Sequence, residues 1–250
     1  TGRPVMRWPK SLAWAKSPRL HRPARKVFRW WCSSMAATGT AVRRTTTLFA
    51  DEALASRGFV TVIPDYRLYP EVRFPDFLDD CAAAVRSAIE QAAAQGGDPG
   101  KIFLMGHSAG GYNAAMLALD AQFLKRARVD PRVLRGFIGL AGPYDFLPLQ
   151  STVTRAIFGY PDTPLITQPI QHVSRAAPPV LLLAPEQDDV VDPGNMPRLA
   201  ARLREHKVPV REISYPSMSH GTLVGALAAP LRRLGPVLDD VSAFIRERSA

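Results

Sequence analysis

The sequence predicts an α/β fold, a mostly parallel sheet with helices on both faces. Three observations carry this reading. From residue 51 to the carboxyl end, short β-branched or leucine-rich runs alternate with stretches of helical length. The runs are apolar at successive positions, as strands covered on both faces must be. The chain has 250 residues, 46% of them hydrophobic, which is enough for one large core.

The elements follow in order. Residues 52–57 read as the end of a helix, closed by Gly58, and residues 59–63 (FVTVI) as a buried strand. Residues 75–95 read as a helix, with Pro75 at its start and Asp76, Asp79 and Asp80 near its positive end. The run GGDPG (96–100) breaks it, and a short strand follows over 101–105. Residues 109–119 are helical and 135–140 form a strand. Residues 146–178 are proline-rich and without a clean period, so they are expected to be irregular. A strand over 180–184, an amphipathic helix over 195–207 and a strand over 210–215 come next. A final helix from Leu231 onward carries Val237, Val241, Phe244 and Ile245 on one face. No internal repeat and no second globular domain is visible.

Charge divides the chain unevenly. The net charge is +10, yet residues 1–50 hold 11 Lys/Arg and no Asp or Glu. Residues 51–250 hold 21 Lys/Arg against 22 Asp/Glu. All four tryptophans, Trp8, Trp14, Trp30 and Trp31, also fall in the first fifth. The domain expectation is therefore an atypical basic segment over 1–46, misframed or disordered, and an α/β catalytic domain over 47–250. Basic residues between 3 and 44 could attract nucleic acid or an acidic membrane. No motif or amphipathic period organises them, so no specific nucleic-acid partner is expected. No apolar run approaches the ~18 residues of a membrane span. Residues 11–15 end like a signal-cleavage site, but no apolar stretch precedes them, so the expected location is cytoplasmic. A chain starting at Thr1 is expected to be a fragment or a processed form. Cys32 and Cys81 are expected to be reduced thiols.

Residues 106–111 read GHSAGG between a predicted strand and a small-residue helix. Gly-X-Ser-X-Gly in that context is a nucleophile elbow. A sharp turn exposes the serine hydroxyl, and side chains at Gly106 or Gly110 would crowd it. Ser108 is thus the expected nucleophile. The amide of Ala109, at the positive end of the next helix, is the expected oxyanion donor. His107 occupies the variable position and is expected to pack or hydrogen-bond, pointing away from the hydroxyl.

A serine hydroxyl needs a base, and the base an orienting carboxylate. Of the five histidines, His21 lies in the basic segment, His206 on a polar helix end and His172 in the irregular region. His220, in PSMSHG (216–221), alone follows a late strand at the right end. Four carboxylates crowd the loop after the strand at 180–184. Asp188 has the expected spacing, Asp189 is the alternative, and Glu186 and Asp192 are weaker ones. Asp145 is read as structural.

These pieces resemble the α/β-hydrolase carboxylesterases, in particular the hormone-sensitive-lipase-like and bacterial feruloyl-esterase-like branch. The matching stretches are VIPDYRLYPEVRFPDFLDD (62–80), GHSAGG (106–111), GLAGPYDF (139–146), LLLAPEQDDVV (181–191) and SHG (219–221). The resemblance implies an α/β-hydrolase fold and cleavage of small-molecule carboxylic esters through an acyl-enzyme, with no cofactor and no metal. Amide-cleaving relatives share the same triad, and fold alone does not fix the substrate.

The resemblance also implies His-Gly-Gly-X-Trp some 25–35 residues before Phe59, to supply a second oxyanion donor. Residues 23–44 (PARKVFRWWCSSMAATGTAVRR) contain no Gly-Gly. One reading is a catalytically impaired protein of this fold. Another comes from the codons. Taking each third base with the next two, Trp30 and Trp31 yield GTG valines, and Cys32 and Ser33 permit Phe or Leu. The Ser34/Met35 junction permits His or Tyr, Met35/Ala36 gives Gly, Ala36/Ala37 permits Gly and Thr38/Gly39 permits Trp. The shifted frame is compatible with an apolar strand followed by the missing motif, with the stated frame resuming near Leu48.

Overall fold

The computed structural model describes residues 13–15, 26–32, 48–159 and 161–249. Its strands form one sheet. They are β1 (Ala13–Ala15), β2 (Lys26–Cys32), β3 (Val60–Ile63), β4 (Gly97–His107), β5 (Leu134–Leu140), β6 (Val180–Pro185) and β7 (Val210–Tyr215). Their order is β1-β3-β2-β4-β5-β6-β7. Every neighbouring pair is parallel except β1 with β3. The sheet therefore crosses the boundary expected at residue 46, since β1 and β2 come from the basic segment. The other residues of that segment, His21 among them, lie outside the described ones.

Strand side chains alternate between two apolar layers, which is why the runs read as continuously hydrophobic. Leu104, Phe137 and Leu182 face one layer; Phe103, Met105, Ile138, Leu181 and Leu183 face the other. Each such fully buried Leu or Phe contributes about 1.5–3 kcal/mol. The first layer packs against α2 (Asp76–Ala92), α3 (Ala109–Leu119) and α6 (Asn195–Glu205). The second packs against α1 (Leu48–Ser56) and α8 (Val237–Glu247), whose Val237, Val241, Phe244 and Ile245 all face inward as expected.

Three expectations are corrected and one element is added. The strand expected from Lys101 begins at Gly97, because Gly97 and Asp98 pair with Lys26 and Val27 before the register shifts. A short helix, α4 (Ala121–Arg126), follows α3, capped by Asp120, whose side chain accepts from the Gln122 amide. The irregular stretch 146–178 holds α5 (Thr152–Phe158), with Ser151 capping its start and Gly159 in a left-handed conformation (φ 80°) closing it. The last helix is split: a 3-10 turn over Ala229–Leu234 ends at Gly235-Pro236, and α8 starts at Val237. Capping chemistry marked α5 in the sequence, but surrounding prolines hid a helix of two turns.

Two polar anchors hold the loops around the carboxyl ends of the strands. Asp80 on α2 is 2% exposed and accepts from Arg67 through Nε (2.9 Å), Nη2 (2.8 Å) and the backbone N–H (3.1 Å). That fixes the segment after β3 to the helix. Asn195 Oδ1 accepts from the Tyr144 and Asp145 amides, and the Asp145 carboxylate takes Arg198 Nε at 2.7 Å. Asp145 is structural in this sense, as expected. Among the described residues no helix is long and apolar enough to cross a membrane.

Candidate active site

The elbow sits where β4 passes into α3. Ser108 has φ 55° and ψ −125°, a strained backbone for a residue with a side chain. Its amide donates to Leu140 O (2.9 Å) and its carbonyl accepts from the Tyr112 amide (3.1 Å), so both sides of the turn are held. The glycine at 106 is obligatory here: a Cβ would lie 2.1 Å from Gly110 O. Ser108 is half-buried. Ala109 opens a helix of 11 residues, and the first amides of a helix have no partner within it. The Ala109 N–H can therefore donate to an anion forming at Ser108.

After β6, only one of the four carboxylates turns inward. The Asp188 side chain is 2% exposed. Its Oδ1 accepts from the amides of Val190 and Val191 at 2.9 Å each, and its Oδ2 lies 2.8 Å from His220 Nδ1. Asp189 and Glu186 are exposed, and Asp192 pairs with Arg198 at 2.8 Å. The two backbone amides select Asp188: they fix its carboxylate with one oxygen left for the histidine.

His220 is buried and is the first residue of α7 (His220–Gly225), whose start is fixed by a reciprocal bond pair between Ser219 and Thr222. A carboxylate only accepts, so the Asp188 contact places the His220 proton on Nδ1 and leaves the Nε2 lone pair free to act as a base. His220 stands beside the elbow. The ring of His107, one residue before the serine, lies 4.5 Å from the His220 ring between centroids, tilted by 48°. His107 Nε2 also lies 2.9 Å from the His220 carbonyl oxygen. Burial first, and then the neighbouring His220, push the His107 pKa down to about 4. Among the described residues Ser108 Oγ makes no hydrogen bond, and catalytic hydrogen bonds of this kind are often long or unformed without substrate.

The structure thus gathers His107, His220 and Asp188 beside the Ser108 elbow and leaves His172 and His206 elsewhere. His172 ends a 3-10 turn, with Nε2 2.7 Å from Ile166 O and Nδ1 3.3 Å from an Asp120 oxygen. His206 caps the carboxyl end of α6. Sequence reasoning missed the His107–His220 contact. Its sole signal was adjacency to the nucleophile, which does not say what the side chain meets. The carboxyl end of β2 reaches the elbow, because Cys32 pairs with Gly106. The expected oxyanion loop would follow at residues 33–44, which lie outside the described ones. No group of three or more His, Cys, Asp or Glu suited to a metal ion occurs among the described residues.

Comparison with known proteins places this geometry. Residues 38–203, two-thirds of the chain, match the BD-FAE family model, a span that contains Ser108 and Asp188. Esterase LipC of Mycobacterium tuberculosis is 28% identical over 214 residues, covering 78% of this chain and 52% of that protein. The chain spans about half the length of that relative, and less of several others. Among solved structures, a truncated carbohydrate esterase from gut microbiota superposes with a TM-score of 0.77 at 20% identity, covering 92% of this chain and 87% of that one. A Thermogutta terrifontis esterase solved with butyrate bound gives 0.74 at 20% identity, covering 94% and 88%. The two superpositions establish the fold, the extent of the family match establishes kinship, and the chain belongs to the BD-FAE family of α/β-hydrolase carboxylesterases.

Proposed function

We propose that the chain hydrolyses carboxylic esters through an acyl-enzyme on Ser108, with His220 as general base and acid and Asp188 as its orienting carboxylate. The observation that carries this reading is the 2.8 Å bond between His220 Nδ1 and Asp188 Oδ2 beside a strained serine elbow. His220 Nε2 takes the serine proton as Oγ attacks the ester carbonyl. Negative charge gathers on the carbonyl oxygen, facing the Ala109 amide. His220 then gives the proton to the departing alcohol, which leaves an ester on Ser108. Water enters, loses a proton to the same nitrogen, and attacks; the carboxylic acid departs and the serine is restored. Atoms and charge balance without a cofactor or a metal.

The substrates proposed are short-chain, uncharged esters. A butyrate-bound structural neighbour supports a small acyl group. Initial rates on a series of nitrophenyl esters, with Ser108→Ala beside the parent chain and with and without a chelator, test this. Activity that survives Ser108→Ala, or that the chelator abolishes, would reject the mechanism.

A second reading has its own observation: residues 23–44 lack Gly-Gly, so the oxyanion would rely on Ala109 alone and the chain would be a weak enzyme. We attribute that lack to a shifted reading frame over residues 1–46. Three features support the shift: no acidic residue, an excess of Arg and Trp, and codons compatible out of frame with the absent motif. The register adds that Arg29 falls on an inner strand, paired with Thr61 and Phe103. The nucleotide sequence upstream of codon 50 tests the attribution directly.

A further inference from the structure

The geometry points to His107 as a positioning residue that locks the His220 loop to the nucleophile elbow through the Nε2–H···O bond to the His220 carbonyl. This inference rests on the Ser108–His220–Asp188 reading above and adds a fourth side chain to it.

The two ends of this bond differ in how firmly they are held. His107 ends β4, an inner strand whose residues 102–107 are all buried, and it is followed by a turn clamped at Gly106 and Leu140. His220 follows β7, the edge strand, whose residues are mostly half-buried or exposed. The six-residue helix α7 that begins at His220 gives little support of its own. The base thus sits on the weaker element, and productive proton transfer needs it placed within a few tenths of an ångström. The His107 side chain supplies that placement from the stronger element. Because His107 and Ser108 are consecutive, one peptide unit connects the clamp on the base to the nucleophile.

The chemistry of the bond is one-directional. A carbonyl oxygen only accepts, so His107 carries its proton on Nε2. It also stays neutral at working pH, because burial pushes its pKa down to about 4. That matters when His220 becomes an imidazolium during acylation. A second cation 4.5 Å away would oppose that charge, whereas a neutral ring does not.

The test compares His107→Phe, which keeps a ring and loses the donor, with His107→Gln, whose amide nitrogen reaches about as far as Nε2. The expected result is a fall in kcat of about 10²-fold for His107→Phe with KM unchanged, and recovery to within about fivefold of the parent in His107→Gln. If His107→Phe does not fold, His107→Met against His107→Gln makes the same comparison at equal length. A kcat for His107→Phe near the parent, or equal losses with and without the amide, would overturn the inference. Ser108→Ala, measured alongside, separates the two levels: its complete loss keeps the esterase reading whatever the His107 variants do. Nitrogen-15 NMR of the parent chain reads the same point without turnover. It should find His107 protonated on Nε2 alone from about pH 5 to 9. An Nδ1 proton there would also overturn the inference.

Discussion

Replacing Asp188 by asparagine changes one oxygen to an amide, and the structure determines which one. The Asp188 Oδ1 position faces the Val190 and Val191 amides at 2.9 Å, and the Oδ2 position faces His220 Nδ1 at 2.8 Å. An asparagine must turn its oxygen to the two backbone donors, since its NH₂ would collide with both. The NH₂ then meets His220 Nδ1 and requires a lone pair there. The ring proton moves to Nε2, the nitrogen that should accept from Ser108, and the base is lost without disturbing the packing. A change of tautomer of this kind lowers kcat by about 10⁴, or about 5.5 kcal/mol of transition-state stabilisation. Asp189 is exposed, so Asp189→Asn should stay within about twofold. The assay is initial-rate hydrolysis of a short nitrophenyl ester by both variants, with thermal melting to show that both are folded. Equal losses, or a larger loss at Asp189, would refute the assignment.

Three further outcomes are expected. Asp80→Asn should cost about 2–3 kcal/mol in denaturant unfolding, less than for a fully buried pair because Arg67 is 38% exposed; no change would deny Arg67–Asp80 its anchoring role. Asp51 on α1 is 2% exposed with one oxygen unpartnered, and burial raises its carboxyl from 3.8 to about 6. The folded state then holds a proton the unfolded chain has released, so stability falls as pH rises through that window. Asp51→Asn should remove that fall and be more stable near pH 7 by up to about 3 kcal/mol, and parallel pH–stability curves for the two chains would contradict this. A chain with the shifted frame restored upstream of Leu48 should gain about 10²–10³ in kcat together with a higher melting temperature. A chain that is already fully active as written would oppose the attribution.

Much of this was legible because the sequence carries physical constraints locally. FVTVI and VLLLAP can be little other than strands covered on both faces, and GHSAGG needs its glycines because Gly106 touches Gly110. His220 stood out by its place after a late strand. The choice among Glu186, Asp188, Asp189 and Asp192 depended on which one the loop's own amides would grip, and that is a property of the turn, not of composition. The contact between His107 and His220 joins residues 113 apart and leaves no local trace. α5 was obscured by the prolines around it, although Ser151 and Gly159 bracket it. In residues 1–46 the local rules disagree with one another. An inner strand written KVFRWWC puts Arg29 in register with Thr61 and Phe103.

The central claim is that Ser108 is the nucleophile. The most direct measurement is labelling of the chain with a serine-directed phosphonate, followed by peptide mass spectrometry and residual ester hydrolysis on the same sample. The expected result is one adduct, on the peptide containing Ser108, with hydrolysis lost in proportion to labelling and no adduct in Ser108→Ala. An adduct on a different serine, or hydrolysis that persists once Ser108 is fully labelled, would contradict the account.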